Sequence, residues 1–201
     1  MAEVVIVSRT KMKNGVCCGG VSLLTGQYIR IHDSRGRNLT EDAPYQIGEV
    51  YDMGYRKAWN ARPRPHVEDC QVFSAHYLRK MSLRQLESTI EGICDVYEGD
   101  LDDVFEGCLQ LENYAPYIDQ GDVPQHSVCF WRPKRPLRKF QMMGKTRYSY
   151  NGNNISFVGF QPPLSYIPAG TLVRLSLANW WAKDSYSGKK CYLQISGWYN
   201  S

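Results

Sequence analysis

The residues best suited to chemistry are aromatic rings interleaved with cations towards the C-terminal end. Between Gly170 and Tyr199 the chain carries Arg174, Trp180, Trp181, Lys183, Lys189, Lys190, Gln194, Trp198 and Tyr199. Two β-favouring runs around a turn at Ser187-Gly188 read as a hairpin. Rings stack on bases while Lys and Arg pair with phosphates, which is the equipment of a single-strand nucleic-acid binder. Trp180 and Trp181 are neighbours, and neighbours on a strand point to opposite faces, so one of them faces away from the core. A second basic run, Trp131 to Phe140, sets Arg132, Lys134, Arg135, Arg138 and Lys139 between two rings. Pro133 and Pro136 keep it extended, and five cations so close call for an anionic neighbour. The expected nucleic-acid surface is therefore Trp131, Arg132, Lys134, Arg135, Arg138, Arg174, Trp180, Trp181, Lys189, Lys190 and Trp198. The competing reading for any one ring is core, which aromatic side chains dominate generally.

Charge is distributed in the same sense. Residues 127–201 hold 11 Lys and Arg against one carboxylate, Asp184, whereas residues 71–126 hold three against 11. A C-terminal part this basic is the footprint of a polyanion partner, unless the acidic middle simply packs on it. Arg9, Lys11, Arg30, His66 and Glu68 form an alternative set. In a pocket between two β units they would hold a phosphorylated ligand, as in a nucleotide sensor or an enzyme. A third reading is a protein-interaction subunit that uses the acidic segment 87–106 and exposed rings.

Several chemistries lack their residues. Seven cysteines lie at 17, 18, 70, 94, 108, 129 and 191 with no Cys-x-x-Cys and no zinc-like Cys/His spacing. They read as reduced, mostly buried thiols of a cytoplasmic protein. Gly144-Lys145-Thr146 fails as a phosphate loop because Lys139 stands where its first glycine belongs. No catalytic residue, metal site or cofactor is assigned, and binding without catalysis is the expected activity. No apolar run approaches the roughly 20 residues of a membrane span, so no membrane partner is expected.

The elements that must position these residues are mostly strands. Residues 4–31 read as a three-stranded meander with turns at Lys13-Asn14-Gly15 and Thr25-Gly26. Gly19-Gly20 within it marks a bulge or a close approach. Ile47–Tyr55 and His66–Phe73 read as strands around an extended loop containing Trp59. Met81 to about Gly107 changes to helical period behind a Ser82/Gln85 capping box. Residues 108–130 read as loop, and 147–160 as a hairpin about Asn151-Gly152.

Two β-rich units around an acidic helical connector resemble the dual OB-containing domain family of bacterial proteins. The resemblance rests on Val5–Lys11 with Asn14–Cys17 and Gly19-Gly20, on Pro65–Asp69, and on Leu175–Ala178, Trp180 and Cys191–Tyr199. It implies a mainly β fold of two small OB-like barrels. The expected division is a first barrel over 1–80, a helical acidic connector over 81–110 and a strongly basic second barrel over 111–201. An OB barrel binds single strands on a sheet face and its adjoining loops.

Overall fold

The computed structural model describes residues 1–12, 14–58 and 62–199. Lys13 of the first expected turn, and Trp59, Asn60 and Ala61 of the expected loop, lie outside the described residues. The chain divides into two units, one of Met1–Pro63, Val67–Asp95 and Tyr199–Ser201, the other of Arg64–His66 and Val96–Trp198.

In the first unit the run Val4-Val5-Ile6-Val7 has the β-branched side chains that a pleated, buried strand favours, and it forms the centre of β1 (Ala2–Lys11). β1 pairs antiparallel with β2 (Val16–Ser22), and β2 with β3 (Tyr28–His32). β4 (Glu49–Lys57) and β5 (Asp69–Lys80) form a long antiparallel pair. β3 joins β5 in parallel and β4 returns to β1, closing a barrel in the order β1-β2-β3-β5-β4. Val4, Ile6, Val16, Cys18, Ile29, Ile31 and Met53 fill its core. The β1–β2 register shifts between Ile6 and Ser8, opposite Gly19 and Gly20. A Cβ on Gly20 would stand 2.6 Å from Val4 Cγ1, so the paired glycines mark both a bulge and a close approach.

The helix α1 (Leu83–Ile93) opens with the expected capping box: Gln85 N–H donates to Ser82 Oγ and Ser82 N–H donates to Gln85 Oε1. Leu86 and Ile90, one turn apart, are its buried residues. This helix belongs to the first unit, whereas everything from Val96 onwards to Trp198 belongs to the second. A separate connector over 81–110 therefore gives way to a boundary near Asp95. The reason is local pairing, since β6 (Val96–Gly99) hydrogen-bonds in parallel to a strand of the second unit.

After β6 come a 3-10 segment at Leu101–Gly107, β7 (Gln110–Glu112) and β8 (Ala115–Ile118). β9 (Val128–Pro133), β10 (Leu137–Met142), β11 (Lys145–Tyr150) and β12 (Asn153–Phe157) follow. The unit ends with β13 (Tyr166–Ile167), β14 (Leu172–Leu177) and β15 (Cys191–Tyr199). Residues 108–130, expected as loop, thus contain two short strands and the start of a third. Asn151 and Gly152 take φ of 48° and 82° between β11 and β12, as the expected hairpin requires.

Hydrogen bonding gives the order β13-β10-β11-β12-β15-β14-β9-β6. β9 and β10 stand apart in that order yet are joined by only Lys134, Arg135 and Pro136. As two halves of one bent first strand they yield (β9/β10)-β11-β12-β15-β14 and back to β9. That repeats the order of the first barrel, including a parallel pair between the third and fifth strands, here β12 and β15.

The capping box sets a measurable contribution. Ser82→Ala should cost about 1 kcal/mol of stability, seen as a lower urea midpoint at unchanged m-value.

Candidate nucleic-acid interface

Ten of the eleven expected surface residues fall into three groups, and all eleven belong to the second unit. Trp131 and Trp198 are in its core. Trp131 is fully buried, stacks edge-on against Tyr150 at 4.8 Å and donates from Nε1 to the Gly99 carbonyl at 3.1 Å. Trp198 packs on Phe157 and Tyr148. Arg174 is buried on β14 and donates to Ser196 Oγ at 2.9 Å. The expectation that these three contact nucleic acid is corrected: the two tryptophans belong to the core, and Arg174, on the opposite face of β14 from Val173 and Leu175, is itself buried and engaged by Ser196.

The second group marks the corner between β9 and β10. The Arg132 guanidinium donates to the Gly170 carbonyl, while Lys134 and Arg135 are exposed. Arg135 donates to Asn151 Oδ1 at 3.1 Å. The nearby Asp100 carboxyl is held below its usual range, first by the Tyr150 hydroxyl and then by the Lys134 and Arg135 charges. An anion offered to this corner therefore meets a partly neutralised field.

The third group lies beyond the other end of β14. Trp181 is 54% exposed and Trp180 half-buried, so one of the pair does face outward. Trp180 Nε1 donates to the Arg64 carbonyl at 3.1 Å. Trp181, Tyr192 and Tyr117 form a ladder of rings 6.3 and 6.0 Å apart. Lys190 sits 4.4 Å over the Tyr117 ring and 2.6 Å from Glu112 Oε2, while Lys189 is exposed. Gly170 donates to Pro133 at the start of β14, whereas Trp181 lies past its end. A six-residue strand spans roughly 20 Å. The basic corner and the Trp181 ladder are thus separate surfaces.

Strand alternation assembles a third surface on β10 to β13. Leu137, Tyr148, Tyr150 and Ile155 point into the core, so the residues between them point outward. Register places Tyr166, Arg138, Ser149 and Asn154 in one row across four strands. Phe140, Arg147, Ser156 and Gln194 form the next row. Arg138 lies 5.8 Å over the Tyr166 ring, and no carboxylate occurs in either row. Arg147 Nε has no hydrogen-bond acceptor among the described residues. Of this face, only Arg138 was anticipated as a site residue. The signal was available in Arg138-x-Phe140 and Arg147-x-Ser149, but it needs the register set by the Met143-Gly144 turn, where φ is 51° and 71°.

The model of the dual OB-containing domain matches residues 2–198. The chain belongs to that family. No curated protein matches the sequence. A solved structure described as "Structural mimicry for functional antagonism" is similar over 98% of this chain and 91% of that one, at 12% identity and a TM-score of 0.34. That likeness is too slight to support a functional comparison.

Of the alternative pocket set, Arg9, Lys11, Arg30 and Glu68 belong to the first unit and His66 to the second. Arg9 is buried and donates to the carbonyls of Glu41, Ala43 and Tyr45, so it holds a loop. Lys11 is exposed at the end of β1. His66 belongs to the second unit and is buried 3.7 Å from Cys191 Sγ, a thiol pushed up to about 12 by burial. Arg30 and Glu68 do meet, at 3.6 Å, and are joined by residues outside the expected set. Asp69 contacts Arg30 Nε at 2.5 Å, His32 Nε2 at 3.1 Å and Arg62 Nε at 3.2 Å. Burial alone would raise the Asp69 pKa, but His32, Arg30 and Arg62 outweigh it and hold the carboxyl below its usual value. Among the described residues no group of three His, Cys, Asp or Glu could hold a metal, and no helix is long and apolar enough to cross a membrane.

Two expectations follow. Trp131→Ala should lose roughly 3–5 kcal/mol of folding stability, whereas Trp181→Ala should stay within about 0.5 kcal/mol of the parent, both read by urea melts. Asp69 has a lower pKa folded than unfolded, so its stabilising contribution is present above about pH 4 and is lost as pH falls through the folded value. Stability measured against pH for Asp69→Asn should lack that part of the acid limb.

Proposed function

We propose that this dual OB protein is a nucleic-acid-binding module for single-stranded DNA or RNA that acts without catalysis, on the outward face of β10 to β13. The observation that carries this reading is the pair of registered rows, Tyr166-Arg138-Ser149-Asn154 and Phe140-Arg147-Ser156-Gln194. Two rings offer stacking surfaces, two guanidiniums offer charge to phosphates, and four short polar side chains offer hydrogen bonds to base edges. Lys145 extends the charged strip, since it pairs with Met142 at the hairpin end. OB barrels bind oligonucleotides on such faces, and that analogy adds weight to the reading. The exposed Lys134 and Arg135 would track the strand beyond the face.

Four of the buried thiols are unsuited to nucleophilic chemistry. Burial pushes Cys18 and Cys191 up to about 12 and Cys70 and Cys108 up to about 11, so none of these is a ready nucleophile. Seven free cysteines also suit a reducing, cytoplasmic setting.

Fluorescence anisotropy with a labelled mixed-sequence single strand, titrated at several salt concentrations, tests the assignment. Tyr166→Ala and Phe140→Ala should each cost roughly 1–3 kcal/mol of binding. The double variant Arg138→Ala/Arg147→Ala should flatten the log–log salt slope by about 1.4, at about 0.7 per phosphate on a single strand. Full binding by all three variants, with loss on Trp181→Ala instead, would move the site to the ring ladder and refute the sheet-face assignment.

A further inference from the structure

The last seven residues of β5 in the first barrel are a strand with one bare edge. β3 pairs with β5 only from Asp69 to Gln71, whereas β4 follows β5 to Lys80. No backbone hydrogen bond from Ser74–Lys80 to a strand other than β4 occurs among the described residues. Alternate N–H and C=O groups of this stretch therefore point outward unpaired, over roughly 23 Å at 3.3 Å per residue. Phe73 and Leu78 are the residues skipped where the β4–β5 register shifts, and they are exposed with Tyr77 between them. An unpaired edge that also presents exposed apolar side chains is what an added strand requires.

Charge selects the added strand. No carboxylate occurs between Phe73 and Arg84, while His76, Arg79, Lys80 and Arg84 all fall there. Beyond the strand end, Arg79, Lys80 and Arg84 line a cleft of about 470 Å³ with Ser88 and Thr89. Arg79 is already paired with Glu3 across β4 at 2.7 Å. Lys80 stands opposite Glu49 in the β4–β5 register, and neither Lys80 nor Arg84 forms an ion pair among the described residues. A second copy of this edge would bring cations to cations, since Ser74–Lys80 carries no acid of its own.

We propose that the β5 edge is a docking site for an extended acidic peptide segment of a partner protein, which adds as a further strand. Its backbone pairs with Ser74–Lys80, its apolar side chains lie beside Phe73, Tyr77 and Leu78, and its carboxylates reach Lys80 and Arg84. This site is independent of the nucleic-acid face on β10 to β13.

The test uses the full chain and a fluorescein-labelled octapeptide of alternating Val and Glu, with its alternately N-methylated analogue as comparison. Expected are saturable binding, slowed amide hydrogen exchange confined to 74–80, and at least about tenfold weaker binding of the N-methylated peptide. Lys80→Glu/Arg84→Glu, at exposed positions, should also weaken binding about tenfold or more, while Arg138→Ala/Arg147→Ala leaves it unchanged. Equal binding of both peptides, or protection elsewhere, overturns strand addition. Displacement of the peptide by a single-stranded oligonucleotide assigns the cations to nucleic acid and overturns the peptide site. A concentration-dependent doubling of mass with protection of 74–80 in the absence of peptide assigns the edge to a second copy and does the same.

Discussion

A small Greek-key barrel closes only if its first strand can serve two partners that lie on different sides of it. In the first unit β1 meets this demand as one continuous strand, pairing with β4 over Ala2–Val5 and with β2 over Val4–Lys11. The bend it needs appears as the shift between Ile6 and Ser8, and Gly20 lets the neighbouring strand come close to Val4 there. In the second unit the same demand is met by breaking the strand. β9 pairs with β14, β10 pairs with β11, and residues 134–136 turn the corner between them. Proline, which cannot donate to a ladder, sits at the corner in Pro133 and Pro136, where such a loss is tolerated.

That corner explains why the most basic run in the sequence does not form a single site. Its residues are divided by their strand positions: Trp131 goes to the core, Arg132 caps the start of β14, Lys134 and Arg135 project at the bend, and Arg138 joins the outward face of β10. Composition placed these cations together, but the period of two along each strand sends them to different surfaces. The same division separates Trp198, in the core, from Trp181, on the ladder with Tyr192 and Tyr117.

What was legible in the sequence is what local chemistry dictates. The Asn151-Gly152 hairpin, the Ser82 capping box and the glycine pair opposite the β1 bulge all depend on residues within a few positions of one another. The family resemblance added the arrangement of two barrels, which matches residues 2–198. The length of β5 was not legible, because His76-Tyr77-Leu78-Arg79-Lys80 has no clean alternation and two register shifts interrupt its pairing with β4. Nor was the ion cluster around Asp69, since Arg30, His32 and Arg62 reach it only once β3 lies parallel to β5. Trp131 and Trp181 look equivalent as letters, but the register of β9 sets Trp131 opposite the core residue Val173, whereas Trp181 lies past the end of β14.

The parallel pair of third and fifth strands also shows how one topology supports opposite surfaces. In the first barrel its outward residues are Arg30 opposite Asp69 and His32 opposite Gln71, so cations are answered from within the unit. Such a cluster fixes strand register at the expense of any external anion, because the guanidinium is already engaged by a buried carboxylate. In the second barrel the corresponding pair is Ser156 opposite Gln194, and the adjoining strands add Arg147 and Arg138 with no acid. Neutral polar groups there leave the charge of the neighbouring guanidiniums unanswered within the sheet. The difference between the two barrels is therefore whether, among the described residues, the sheet face supplies its own counter-charge.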